Sequence, residues 1–471
     1  MLRALAFTVL SISLVVGENS SPPAKGQNVV ILLIDGYGAE LFNRTNSAIR
    51  VGAEALLTNG VKAGYLRPVF PTLTYPNWFS LATGLYVESH NFTSDYMYDE
   101  EHNIYFERDE GPNDTNHIWW EGLPDPLWYT VGKANIDVHC YWFGSCHRPH
   151  RDLIVQVPKP RRHNFKNHDV VNVFNHLEGI FKHVKKYQQY KQQLVLLRYN
   201  GIANALRQFG EESDAINDAL SNADVLIRDI QEKMTQHELL DSTNLIVLSD
   251  HGLMEIYEDE KYYIEDCISD LSLIQRVVNS LSIMMVYPVE GNTDRIFFEL
   301  KSCDQWLALG DYDSEESPVV QIYRKEELPD TLYWKHSRNI GPIVLIARPG
   351  AAIISRDLPT NEVLETHYRD LHVHSGWDNH NPEMQGIFMA RGPAFKPNEE
   401  IPSISIIDIQ PLVLNILDIE SKHTANGSLE NIQGVLTAGW EDRTATDDAS
   451  TTSFLTAACL TVVGTLVRHL M

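Results

Sequence analysis

Three apolar runs, Val29 to Ile34, Leu194 to Leu197 and Leu245 to Leu248, stand out because none alternates with polar residues. Each therefore predicts a strand buried on both faces, the habit of a parallel sheet between helices. Between the last two runs, Ile216, Ala219, Leu220, Ala223, Leu226, Ile227 and Ile230 recur at three- and four-residue spacing, which predicts an amphipathic helix. Strand, helix and strand imply a right-handed crossover and an α/β fold with a mostly parallel sheet. In such sheets ligands bind beyond the carboxyl ends of the strands. Asp35 and Asp250 follow two of those ends, more than two hundred residues apart in sequence. Gly386 to Ala390 predicts a further strand and Ile406 to Leu417 the helix that closes the core, giving one domain over residues 28–420. Residues 421–452 read as a linker.

Both ends depart from this pattern. Residues 1–17 combine an early Arg3, an apolar stretch to Val16 and the small residue Gly17, the form of a secretory signal peptide. Within residues 453–471, Phe454 to Val467 is apolar or small and shorter than the roughly 20 residues of a membrane span. It follows the polar stretch Thr444 to Thr452, which fits a glycolipid-anchor signal; a single-pass tail helix is the alternative. Either places the globular part on the extracellular face of the plasma membrane.

Composition agrees with that location. Glycosylation sequons start at Asn19, Asn43, Asn91, Asn113 and Asn426. With Cys459 in the tail, Cys140, Cys146, Cys267 and Cys303 remain, an even count that suggests two disulfides. Three pairings exist; proximity in sequence favours Cys140–Cys146 and Cys267–Cys303. A net charge of -25 argues against nucleic acid as a partner. The basic stretch Lys159 to His163, with Arg148 and Arg151, reads as a solvated loop.

The candidate chemistry lies in Phe70 to Asn77, which sets a hydroxyl nucleophile, Thr74, three residues before an amide donor, Asn77. A threonine hydroxyl is a poor nucleophile near neutral pH, and metal coordination is one way to activate it. Asp250-His251-Gly252 sets a carboxylate and an imidazole side by side before a turn glycine, a pair that can reach one divalent ion. Asn77 would offer its amide to a phosphoryl oxygen. Tyr75, Trp78, Trp119, Trp120, Trp128, Tyr141 and Trp142 are dense around these motifs. They suit a quaternary ammonium, a stacked nucleobase or plain core packing.

Asp35-Gly36, Phe70 to Asn77, Thr83-Gly84, Met97-Tyr98-Asp99, Pro126-Leu127-Trp128, Ser249 to Gly252, Gly376 to Asn379 and Gly386-Ile387-Phe388 occur in one order. In this the chain resembles the ectonucleotide pyrophosphatases/phosphodiesterases, from about residue 28 to about residue 420. Its length and anchored topology are most similar to the choline-directed glycerophosphodiesterase branch. The resemblance implies an alkaline-phosphatase-like fold and a two-zinc site. One zinc would be held by Asp35, Thr74, Asp250 and His251, all present. The family's second zinc takes an aspartate and two histidines. This chain has Ala203, Arg207 and Ser375 there, with His374 beside the last. Ala203 cannot coordinate, and Arg207 is a permanent cation. Two readings follow: a catalytically weak or inactive protein that binds a phosphodiester ligand or a surface protein partner, or a one-metal phosphodiesterase. In the second, Arg207 would stand in for the missing ion on the phosphoryl oxygens.

Overall fold

The structure, a computed structural model, describes residues 27–107, 116–141, 146, 170–303, 318–358, 372–420 and 425–440, with the side chains of 170–175 not described. Its centre is a seven-stranded sheet. In chain order the strands are β1 (Asn28–Ile34), β2 (Gly60–Arg67), β3 (Asp137–Tyr141), β4 (Gln193–Tyr199), β5 (Thr243–Leu248), β6 (Gly386–Arg391) and β7 (Glu399–Ser405). Across the sheet they run β7-β2-β6-β5-β1-β4-β3. β1 is flanked in parallel by β4 and β5, and β6 alone runs against its neighbours. The three apolar runs are therefore the adjacent central strands, as their composition predicts.

Their uninterrupted apolarity has a direct cause. Val29, Ile31 and Leu33 of β1 face one core, while Val30, Leu32 and Ile34 face another on the opposite side of the sheet. Each such side chain, fully buried, contributes about 1.5–3 kcal/mol. The predicted crossover helix is Asp214–Gln236, and its apolar stripe lies in the second core. The closing helix is Ile409–Leu417, entered through a short 3-10 turn at Ile406–Asp408.

Two features differ from expectation. A second, antiparallel sheet orders Ile274–Asn279, Ile283–Pro288, Ile343–Ala347 and Val320–Arg324 around its own core. Residues 425–440, expected within a linker, pack against the first core through Ile432, Val435, Leu436 and Trp440, and Asn415 donates to the Trp440 carbonyl at 2.7 Å. That part of the segment belongs to the domain because its apolar residues have a surface to bury against.

Disulfides join Cys140 to Cys146 and Cys267 to Cys303. Of the sequons, Asn43 and Asn426 are exposed, and Asn91 is half-buried with its amide oxygen accepting from Ser337 and Arg338. Asn19, Asn113, Trp142, the basic stretch 159–163 with Arg148 and Arg151, the leader 1–17 and the tail 453–471 lie outside the described residues. Among the described residues no helix is long and apolar enough to cross a membrane.

Candidate nucleophile and metal site

Parallel pairing of β1 and β5 brings Asp35 and Asp250 together, because Leu33 stands opposite Leu248 and both chains then leave the sheet. The turn after Asp35 requires Gly36, whose φ of +70° lies in the left-handed region. A Cβ there would meet Leu253 at 2.7 Å and Ala203 at 3.0 Å. Gly36 donates its N–H to Asp250 Oδ1 at 3.2 Å, so the two strand ends are tied directly. β2 runs in the same direction, and the loop after it delivers Thr74 as the first residue of the helix Thr74–Thr83.

The expected first set converges. One ligand atom each from Asp35, Asp250 and His251 lies within 4.8 Å of the others. The Thr74 hydroxyl is 3.2 Å from His251 Nε2. His251 Nδ1 lies 2.8 Å from the Gly252 carbonyl, which can only accept, so Nδ1 carries the proton. That leaves Nε2 as the nitrogen facing the Thr74 hydroxyl, the one whose lone pair could accept its proton or ligate a metal. Asp250 is held from three sides, by Gly36, by its neighbour's His251 N–H at 3.0 Å and by Trp78 Nε1 at 3.0 Å.

The donors fit one metal ion: mixed nitrogen and oxygen ligands suit zinc. Asp35 Oδ1, buried and without a hydrogen-bond partner, supplies an acceptor toward such an ion. The positions expected at the second set bring no carboxylate or imidazole of their own. Ala203 sits fully buried on the helix Gly201–Phe209, one turn before the half-buried Arg207. The Ser375 carbonyl accepts from Ser282 and His374 Nδ1. His374 is not among the converging ligands, and among the described residues no other group of three or more such side chains converges.

A residue that sequence reasoning missed completes the site. Arg198, the single charge in the apolar run of β4, pairs through Nη2 with Asp35 Oδ2. Its guanidinium carbon lies 4.2 Å from the centre of the Trp78 ring. Burial pushes the Asp35 carboxyl up, but Arg198, Arg207 and His251 outweigh it and hold Asp35 well below the carboxylate range. Burial pushes Asp250 the other way, up, with the Asp35 charge adding to it. The site is also closed: Thr74, Asp35 and Asp250 are each 1% exposed and His251 0%.

Asn77 departs from its expected role. Its amide Nδ2 donates to the carbonyls of Leu73, Pro71 and Val69 at 2.9, 3.1 and 3.4 Å, and its Oδ1 accepts from Val69 N at 2.7 Å. The side chain braces the nucleophile loop, and that amide is committed to the main chain. Tyr75, Trp78, Trp119 and Trp128 are buried in the first core, with Tyr75 and Trp78 at 5.3 Å between ring centroids, which is packing and no open cage.

Residues 29–378 match the family described as Type I phosphodiesterase / nucleotide pyrophosphatase. Among curated relatives, the bis(5'-adenosyl)-triphosphatase enpp4 of Xenopus laevis is 26% identical over 437 residues, covering 90% of this chain and 83% of that one. Ectonucleotide pyrophosphatase/phosphodiesterase family member 5 of Homo sapiens is 23% identical over 410 residues, 87% of this chain and 78% of the relative. Murine ectonucleotide pyrophosphatase/phosphodiesterase 5 superposes with a TM-score of 0.71 at 23% identity, over 87% of this chain and 100% of that one. The α/β fold is thus alkaline-phosphatase-like, with a central, mostly parallel sheet between helices.

Proposed function

The chain belongs to the type I phosphodiesterase / nucleotide pyrophosphatase family, and from that premise we propose a catalytically weak or inactive cell-surface member that binds where its relatives cleave. The family consists of metal-dependent enzymes acting on phosphodiester small molecules such as nucleotides. The observation that carries the proposal is the state of the site. The nucleophile Thr74 is 1% exposed, and Ala203, Arg207 and Ser375, which the resemblance to the family aligns with a second metal's ligands, bring no carboxylate or imidazole. Two ions in such a site stabilise the attacking and leaving oxygens together, each by several kcal/mol. Without one of them the rate falls by roughly a thousandfold or more, each 1.4 kcal/mol being about tenfold.

On this reading zinc occupies one site, held by Asp35, Thr74, Asp250 and His251, and would there supply Lewis-acid stabilisation of the Thr74 oxygen. His251 would ligate through Nε2, its Nδ1 proton being held by the Gly252 carbonyl, and Asp250 keeps His251 and the Gly36 turn in register. The occupant is a phosphodiester small molecule, a nucleotide or a glycerophosphocholine-like compound, or a surface protein partner. Membership of the choline-directed branch rests on the anchored topology; the burial of Tyr75, Trp78, Trp119 and Trp128 gives no support to a cage built from them. Glycolipid anchoring, the signal peptide and glycans at the sequons complete the proposal, consistent with relatives that are secreted or membrane-associated ectoenzymes. The one-metal phosphodiesterase is the second reading, favoured by the intact Thr74–His251 contact and by Arg207, whose charge reaches Asp35.

The experiment compares wild type with Thr74→Ala on a chromogenic phosphodiester and a phosphocholine ester. Equal, negligible rates support the binding protein. Turnover that vanishes in the variant establishes the one-metal enzyme and overturns the proposal.

A further inference from the structure

We propose that Arg198 is the resident counter-cation of the Asp35–Asp250 pair and weakens divalent-ion binding there. The inference rests on the reading above that Asp35, Asp250 and His251 are the retained donors. The pattern of β4 shows why this arginine is no stray surface charge. Leu194 and Leu196 face the first core, and alternation turns Arg198 to that same side, where it is 2% exposed. Burying a guanidinium is expensive unless it is paired. Here it is paired on one side with Asp35 and stacked on the other against Trp78. Trp78 in turn donates to Asp250, so a single indole fixes the arginine and the second carboxylate together.

The charge count explains the consequence. Asp35 and Asp250 bring two negative charges, and Arg198, in contact with Asp35, already offsets one of them. Only the other is left to compensate an incoming ion. A divalent cation would therefore bring excess positive charge beside the guanidinium, in a site from which water is largely excluded and where repulsion is weakly screened. An arginine cannot relieve this by losing a proton. Asp35 Oδ1 is still open to an ion, so the donors can bind one, but they do so against a cation already bonded to the same carboxylate.

The test is zinc affinity of the whole ectodomain, measured by competition with a chromogenic chelator. Arg198→Met should bind zinc on the order of a hundredfold more tightly than wild type, since an uncompensated buried carboxylate gains the ion as its partner. Arg198→Gln, which keeps a hydrogen-bond donor to Asp35 while removing the charge, covers the case in which the methionine variant does not fold, and should show the same gain. In an Asp35→Asn background the arginine substitution should give no gain over Asp35→Asn alone, whereas a merely structural role for Arg198 would change affinity equally in both backgrounds. Zinc affinity equal in wild type and in the folded arginine variants overturns the proposal. So does a gain that survives Asp35→Asn. Vigorous Thr74-dependent hydrolysis would overturn the binding-protein reading while leaving this affinity ratio intact, so the two failures are distinguishable.

Discussion

Around Thr74 the candidate ligands are also structural parts, whereas Ala203, Arg207 and Ser375, the positions proposed to have lost a second metal, bring no carboxylate or imidazole. Asp250 accepts from Gly36, His251 and Trp78, and His251 is fixed by the Gly252 carbonyl. Removing Asp250 would strand three buried donors, each costing about 1–3 kcal/mol. On the other side of the Gly36 turn, Ala203 fills a helix–sheet contact as any small residue would, and Arg207 stands half-buried one helical turn on. The comparison teaches that ligands which also hold the fold are a poor guide to activity. Their presence around Thr74 follows from the architecture as much as from chemistry.

The sharpest way to break the comparison is to rebuild the second half. Ala203→Asp, Arg207→His and Ser375→His together should admit a second zinc and raise phosphodiester hydrolysis on the order of a thousandfold. If the triple variant gains neither ion nor rate, these three positions are not what separates the halves. Next in size, Arg198→Met leaves Asp35 buried and uncompensated and should cost about 3–5 kcal/mol in urea unfolding. A loss under about 1 kcal/mol, the range of a surface pair, would place the Arg198–Asp35 contact at the periphery of the site. Asn77→Ala removes the amide that braces the nucleophile loop, and the stranded Val69, Pro71 and Leu73 groups should lower stability by about 2 kcal/mol.

The gentlest effect at any one pH is a slope with pH. His90 is fully buried against Ser80, and burial pushes its pKa from 6.5 down to about 3. Between those values the unfolded chain binds a proton that the folded one refuses, so stability rises with pH there and is lost as pH falls. The contribution is about 1.4 kcal/mol per pH unit. His90→Gln should flatten the unfolding free energy between pH 6 and pH 4 by roughly that slope, and an unchanged slope would mean that His90 is protonated in the folded state.

Much of this was legible in the sequence, for stated reasons. β1, β4 and β5 are buried on both faces, so their runs are uninterrupted and readable, and the crossover helix shows its stripe because one face is wet. The disulfides pair as proximity suggested. The small antiparallel sheet was not legible, because strands such as Val320–Arg324 are short and gain their partners from segments tens of residues away. Residues 425–440 looked polar in sum, although Ile432, Val435, Leu436 and Trp440 are what packs. Arg198 did leave a signal: a lone guanidinium inside an apolar parallel strand must find a buried carboxylate. Asn77 did not, since its three carbonyl partners are main-chain groups of its own loop.

The central claim, that one half of the metal site keeps its ligands and the other does not, meets its most direct test in metal content. Wild-type ectodomain, saturated with zinc and freed of loose ions, should carry at most one zinc per chain by elemental analysis. Two tightly bound zinc ions per chain would contradict it.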